Sequence, residues 1–126
     1  MASFERGEIW WVRLPESVGR EMRSGEGRRP VMIVTNADFH TDTGLVWAVS
    51  LTRGMARTAG LGVNLMGLNM KTDGWARCEM LHCLDLEARK AEYSETAPDF
   101  VVDQVLGMLE FVLDKEMDKE ARLENP

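Results

Sequence analysis

The chain has 126 residues, 44% of them hydrophobic, which is enough to bury one core and predicts a single domain over residues 1–126. It contains no run of about 18 apolar residues and no signal-peptide pattern, which argues against a membrane partner and predicts a cytoplasmic protein. The formal net charge of -6 does not exclude a nucleic acid, because residues 1–89 hold 11 basic and 11 acidic side chains and the acidic excess lies in residues 90–126.

The first third of the chain predicts two strands separated by a long loop. GEIWWVRL, residues 7–14, is rich in β-forming residues, and PVMIVTN, residues 30–36, is a nearly continuous apolar run typical of a central strand. The polar loop between them is long for a small domain, and such loops are usually functional or mobile. Arg28 and Arg29 lie where this loop meets the second strand. They suit a ligand clamp, although an ordinary exposed arginine is the alternative.

Two further strands are predicted in the middle of the chain. LVWAVSLT, residues 45–52, follows a turn-rich segment, and GLGVNLMG, residues 60–67, is a weaker candidate because of its glycines. Ser50 and Thr52 would share one face of the third strand, because side chains alternate along a strand. Their hydroxyls could bind a ligand, but most such residues are plain strand formers.

GWARCEML, residues 74–81, predicts a fifth strand with two contrasting faces. Extended geometry puts Ala76, Cys78 and Met80 on a core face, and Trp75, Arg77, Glu79 and Leu81 on the other. Glu79 could act as a general base, with Arg77 as a clamp for phosphate or for a transition state. The alternative is a structural ion pair that contributes little.

The two cysteines and two histidines do not form a recognisable metal or redox motif. We interpret Cys78 and Cys83 as reduced packing residues, and predict neither a metal site nor a cofactor. His40 and His82 are far apart in the sequence, and each is interpreted as a satisfied or exposed histidine.

The pattern changes near the C-terminus. DLEARK, residues 85–90, suggests a helical turn, and apolar residues then recur at helical spacing, which predicts a helix over about 97–120 with Thr96 or Asp99 as its cap and Pro98 at its start. The predicted fold is mainly β, of the α+β class. It consists of a small antiparallel sheet rolled into a barrel over about 5–90, closed by the C-terminal helix.

Five segments in this order, RGEIWWVRL, VGREM, GRRPVMIVTN, ARTAGLGVNL and RCEMLHCLDLEARK, resemble the MazF/PemK family of toxin ribonucleases, and look most similar to its Kid-like branch. The resemblance implies an SH3-like β-barrel with a C-terminal α-helix, working as a homodimer. It also implies metal-independent, sequence-specific cleavage of single-stranded RNA to 2′,3′-cyclic phosphate and 5′-hydroxyl ends. A cognate antitoxin, whose disordered C-terminal segment lies over the active groove, would hold this activity in check.

The resemblance also assigns residues. The family's strand arginine and acidic residue fall on Arg77 and Glu79, and its arginine before proline falls on Arg29. The hydroxyl residue of the third strand falls on Ser50, or on Thr52 if the register differs by two. Glu79 is a longer acid than the family's aspartate, which moves the carboxylate outward by one methylene.

The long loop departs from the Kid-like pattern. The family's Gly-His-Glu reads Gly19, Arg20, Glu21 here, so a titratable imidazole is replaced by a permanent cation that can hold phosphate but cannot exchange a proton near neutral pH. The predicted catalytic set is Arg77, Glu79, Arg20 and Arg29, and the predicted RNA-binding set is Glu21, Arg28, Ser50, Thr52, Arg53 and Arg57.

Two other functions stay open at this point. A CcdB-like toxin, which shares the family fold, would bind DNA gyrase through the end of its C-terminal helix. The helix here ends DKEARLENP without an aromatic residue, which counts against that interpretation. The substitution at Arg20 also allows a catalytically weakened homologue that acts as a binding module.

Overall fold

The computed structural model describes residues 3–14, 27–53 and 60–115, which form six strands and two helices. In chain order these are β1 Glu8–Val12, β2 Arg29–Ile33, α1 Ala37–Thr43, β3 Val46–Thr52, β4 Gly62–Asn64, β5 Trp75–Leu84, β6 Glu92–Thr96 and α2 Asp99–Leu113. The five predicted strands and the C-terminal helix are confirmed. Neither helix is long and apolar enough to cross a membrane, within the segments that the structure describes.

All six strands pair antiparallel in a single sheet, in the order β4-β5-β3-β2-β1-β6. The prediction of a closed barrel is not confirmed, because the sheet is open and its ends β4 and β6 do not pair with each other in the described segments. A side chain spans part of this gap. The Glu95 carboxylate of β6 accepts hydrogen bonds from the backbone N–H groups of Lys71, at 2.9 Å, and Thr72, at 2.7 Å, in the β4–β5 connection.

The core consists of two apolar clusters, one on each face of the sheet. The first contains Val49 of β3 and Ala76 of β5, and α2 covers it with Val101 and Val105, all of which are buried. The second contains Val31, Ile33, Val46, Ala48 and Leu84, together with Phe4 from the N-terminal segment. The central strands are therefore buried on both faces, as their continuous apolar sequences predict.

Two elements are missing from the sequence prediction. Helix α1 has no buried residue, so it shows no apolar periodicity. It is defined by its ends, where the Asn36 side chain accepts a hydrogen bond from Phe39 N at 2.9 Å and Gly44 adopts a left-handed φ of 76°. Strand β6 lies at a sheet edge and has no fully buried residue, so it too lacks an apolar pattern.

The start of α2 also differs from the prediction. Pro98 is the N-cap residue and no side chain of the described residues caps the helix, so neither Thr96 nor Asp99 has that role. Asp99 lies in the first turn, where its charge favours the helix dipole. The helix ends at Leu113, and most of the predicted continuation to 120 lies outside the described residues.

A large bulge interrupts β5. Ser50 pairs with Arg77 but Val49 pairs with Leu81, so one step along β3 faces four steps along β5. The predicted alternation therefore fails beyond Glu79. Met80 is only partly buried, and Leu81 aligns with Val49 of the first cluster instead of sharing the face of Arg77.

Candidate active site

Three neighbouring strands place predicted site residues on one face of the sheet. The register pairs Val31 with Ser50, and Ser50 with Arg77. Side chains two residues apart on a strand share a face, so Arg29 and Thr52 lie on the same side as these three. Diagonal neighbours on adjacent strands are roughly 7–8 Å apart, close enough to act on one substrate. We call the surface that carries Arg29, Ser50, Thr52 and Arg77 the site face.

Arg77 and Glu79 form an ion pair on the site face. Arg77 donates from Nε at 3.1 Å and from a terminal nitrogen at 2.9 Å, both to Glu79 Oε2. The two side chains are only 18% and 21% exposed, so they are not an ordinary surface pair. Glu79 Oε1 is buried and has no hydrogen-bond partner in the described segments. One carboxylate oxygen is therefore fixed by a cation, and the other is shielded from solvent.

The third-strand hydroxyls have different surroundings. Ser50 is fully buried, and its Oγ lies 2.8 Å from Nε2 of His82, which is half-buried. Thr52 is half-buried and lines the pocket described next. Of the two alternatives left by the sequence, Thr52 is therefore the hydroxyl placed to meet a ligand directly. His82 is a neighbour of the site that its sequence position did not reveal.

A pocket of about 380 Å³ lies beside the site face, where β2 begins and β3 ends. Its volume is within the ordinary range of ligand sites. It does not include the Arg77–Glu79 pair, and its walls are Trp11, Arg28, Arg29, Pro30, Leu51, Thr52, Arg53, Lys71, Thr72 and Asp73. Four cationic side chains and a Trp11 ring that is 38% exposed give it the chemistry of a nucleotide site, where cations hold phosphate and aromatic rings stack on bases.

The cations of this pocket are not equally available. Arg28 pairs with Glu92 at 2.8 Å, and Arg53 approaches Asp73 at 3.5 Å. Arg29 forms no ion pair within the described segments and is half-buried at the strand end. Of the three arginines, Arg29 is therefore the one whose charge is best placed to meet a phosphate.

The residues that line the pocket from the β4–β5 connection were not predicted from the sequence. Lys71 and Thr72 are held there by Glu95, and Lys71 Nζ also donates to the Ser94 carbonyl at 3.3 Å. The Thr72 hydroxyl is buried without a partner in the described segments. Lys71 and Thr72 lie more than twenty positions before Glu95, so their place in the pocket becomes evident only from the contact with Glu95 across the open sheet.

Three predicted site residues cannot be placed. Arg20, Glu21 and Arg57 lie outside the described residues, so their predicted roles stay predictions. Within residues 3–14, 27–53 and 60–115, no three His, Cys, Asp or Glu side chains gather as a metal site would require.

The two cysteines differ sharply in environment. Cys78 is buried behind the site face, and burial, followed by the charge of Glu79, raises its pKa to about 11. Cys83 is exposed, so the interpretation of both cysteines as packing residues was wrong for Cys83. We expect iodoacetamide at neutral pH to alkylate Cys83 and to spare Cys78, because alkylation requires an accessible thiolate.

Peptide mass spectrometry of the labelled protein measures this difference, with a sample unfolded in guanidinium as the control in which both cysteines react. Equal labelling of the two cysteines in the native protein would contradict the burial of Cys78.

Comparisons with known proteins show which family and which solved folds this chain is similar to. A family model described as "PemK-like, MazF-like toxin of type II toxin-antitoxin system" matches residues 5–113. The chain is 40% identical over 114 residues to "Endoribonuclease PemK" of Escherichia coli, covering 89% of this chain and 84% of that protein. The crystal structure of MazF from Deinococcus radiodurans superposes with a TM-score of 0.76 at 26% identity, covering 90% of this chain and 98% of that one. A mycobacterial endoribonuclease in complex with its cognate antitoxin shares the fold, with a TM-score of 0.68 at 21% identity over 90% of this chain and 95% of that one.

Proposed function

This chain belongs to the family of PemK-like, MazF-like toxins of type II toxin–antitoxin systems, and from that premise we propose that it is a sequence-specific endoribonuclease that cleaves single-stranded RNA. The observation that carries the proposal is the Arg77–Glu79 pair, in which one carboxylate oxygen is held and the other is buried without a partner among the described residues. A family member kept only as a binding module would not need this arrangement.

RNA supplies its own nucleophile, so the protein needs no metal or covalent intermediate. The Glu79 carboxylate takes the proton of the 2′-hydroxyl, and the 2′-oxygen bonds to the adjacent phosphorus while the bond from phosphorus to the 5′-oxygen breaks. Arg77 stabilises the charge that develops on the phosphorane, and the departing 5′-oxygen takes up a proton. Arg29 holds phosphate from the strand end, and Arg20, which lies outside the described residues, is assigned the same role from the sequence. The products are a 2′,3′-cyclic phosphate and a 5′-hydroxyl.

The adjoining pocket serves as the entry to this site for the RNA chain. Thr52, Arg28 and Arg53 line it beside Trp11, and we assign them to RNA binding, together with Glu21 and Arg57. Ser50 is fully buried, so we assign it an indirect role in RNA binding, through its hydrogen bond to His82.

The remaining features follow from family membership. We propose a homodimer, a cognate antitoxin whose disordered C-terminal segment covers the site, and a cytoplasmic location where messenger RNA is the substrate. We also propose that this open sheet is curved as in an SH3-like barrel. The Glu95 contact across the open edges of the sheet supports it, because it brings the two ends of the sheet together.

The direct test is incubation of the purified protein with a long single-stranded RNA in the presence of a chelator, with the cut positions mapped. We expect discrete cuts that share a short sequence. Degradation that requires added metal would contradict the mechanism. The absence of cleavage by a folded protein would point to a binding toxin instead, with gyrase as the first candidate.

Arg29 was predicted as part of the catalytic set, and we assign it the role of a phosphate clamp because it lines the pocket and does not contact the Arg77–Glu79 pair. Arg29→Ala is therefore expected to weaken RNA binding more than it slows the chemical step. The KM should rise. The negative slope of log affinity against log salt concentration should become shallower by about 0.7, because one phosphate contact on a single strand is lost. Lys115→Ala is the control, since it removes one exposed positive charge beyond the end of α2. An unchanged salt slope for Arg29→Ala, or an equal change for Lys115→Ala, would show that Arg29 does not contact phosphate.

A further inference from the structure

Cleavage by the 2′-hydroxyl leaves one requirement unmet on the site face, which is a proton for the departing 5′-oxygen. Arginine is a poor donor because its pKa lies above about 12. Histidine is the side chain suited to exchange protons near neutral pH, and the chain contains only two, His40 and His82. His40 lies on α1 with its ring against Phe4, at the second cluster. His82 is therefore the imidazole to consider.

The register brings His82 toward Arg77. The cross-strand partner of His82 is Ala48, and that of Arg77 is Ser50, two residues further along the same face of β3. The His82 ring does not stay over Ala48, because Nε2 lies 2.8 Å from Ser50 Oγ. The ring thus leans along the strand toward the Arg77 row, and Ser50, which is fully buried, fixes it from below. The bulge in β5 makes this possible, since it puts His82 and Arg77 on the same face of the sheet although they are five positions apart, an odd number.

We propose that His82 is the general acid of the reaction and that Ser50 is its positioning residue, an inference that rests on the RNA cleavage proposed above. As the 2′-oxygen forms its bond to phosphorus and gives its proton to Glu79, the bond from phosphorus to the 5′-oxygen breaks. The imidazolium of His82 gives one proton to that oxygen. Neutral His82 and protonated Glu79 remain, and one proton passed back from Glu79 to His82 through solvent restores both groups.

The competing explanation is structural, because the imidazole could do no more than satisfy the buried Ser50 hydroxyl. The two roles differ in their dependence on the leaving group. A thiolate leaves without a proton, so RNA with sulfur in place of the 5′-oxygen at the cleaved bond needs no general acid. A misplaced or loosened site would cleave both substrates poorly.

The experiment compares wild type, His82→Gln and Glu79→Gln on two oligonucleotides of the mapped cleavage sequence, one natural and one with a 5′-bridging sulfur. We expect His82→Gln to lose on the order of a hundredfold or more in kcat on the natural RNA and to return to within a few-fold of wild type on the sulfur substrate. Glu79→Gln should stay slow on both. Ser50→Ala should show a smaller defect on the natural RNA, which the sulfur substrate also removes.

Equal losses of His82→Gln on the two substrates would overturn the proposal, as would an unimpaired rate on the natural RNA. Thermal unfolding of each variant accompanies the kinetics, and the sulfur substrate itself reports whether a folded variant keeps its site. If wild type cleaves neither substrate, the proposed ribonuclease activity is wrong. If wild type is active and His82→Gln is not impaired, only the role of His82 is wrong.

Discussion

Glu79→Gln is expected to lower RNA cleavage by about a hundred- to ten-thousand-fold while the protein folds normally, because glutamine keeps the shape of glutamate but cannot accept the proton of the 2′-hydroxyl. The amide oxygen of the variant can still accept hydrogen bonds from Arg77, so the packing of the pair is retained. RNA binding should change little, since the carboxylate acts in the chemical step. Single-turnover cleavage of the mapped RNA, with binding measured separately, resolves the two effects.

A matched control is Glu110→Gln, which makes the same chemical change at an exposed position on α2. It should cleave RNA like wild type. A Glu79→Gln rate within a few-fold of wild type would remove Glu79 from the role of general base, and an equal loss in Glu110→Gln would indicate that net charge, and not the site, sets the rate.

Gly74→Ala is expected to destabilise the protein by about 3–5 kcal/mol, among the largest effects of a single substitution. Gly74 has a φ of 116°, which L side chains rarely adopt, and a Cβ there would lie 1.9 Å from the Thr52 carbonyl oxygen and 2.9 Å from Arg53 Cα. Both contacts are to backbone, so no rotamer change can relieve them. The ends of β3 and β5 would have to separate, and the pocket wall would move with them.

Gly107→Ala provides the control for this prediction. Gly107 lies in α2, and a Cβ there meets no atom of the described residues within 4 Å, so alanine should stabilise the helix by about 0.5–1 kcal/mol. Denaturant unfolding of the two variants at one protein concentration measures the difference. A Gly74→Ala protein within 1 kcal/mol of wild type would show that the strands do not approach as closely as described.

The apolar sequences predict much of this fold because burial governs them directly. The residues of β2 and β3 must be apolar on both faces, and the spacing of the valines on α2 reflects the cluster that they cover. Helix α1 and strand β6 depend on caps and on edge pairing, which leave no apolar period. The bulge in β5 arises from pairing with β3, so the sequence of β5 alone gives no sign of it.

The site was predictable to the extent that it is local. Arg77 and Glu79 lie two residues apart on one strand, so alternation places them together, and the structure confirms their contact. His82 and Ser50 are 32 residues apart, and their hydrogen bond depends on the bulge and on the strand register. The pocket residues Lys71 and Thr72 likewise acquire their positions from Glu95 on a distant strand.

The central claim is that the RNA's own 2′-hydroxyl is the nucleophile, activated by Glu79 on the site face. The most direct measurement uses an oligonucleotide of the mapped cleavage sequence with a single 2′-deoxy nucleotide immediately 5′ of the cleaved bond, compared with the all-ribose oligonucleotide. We predict that the all-ribose RNA yields a 2′,3′-cyclic phosphate and a 5′-hydroxyl, and that the substituted RNA binds but is not cleaved. Cleavage of the substituted RNA at the same bond, or a product with a free 3′-hydroxyl, would contradict this account.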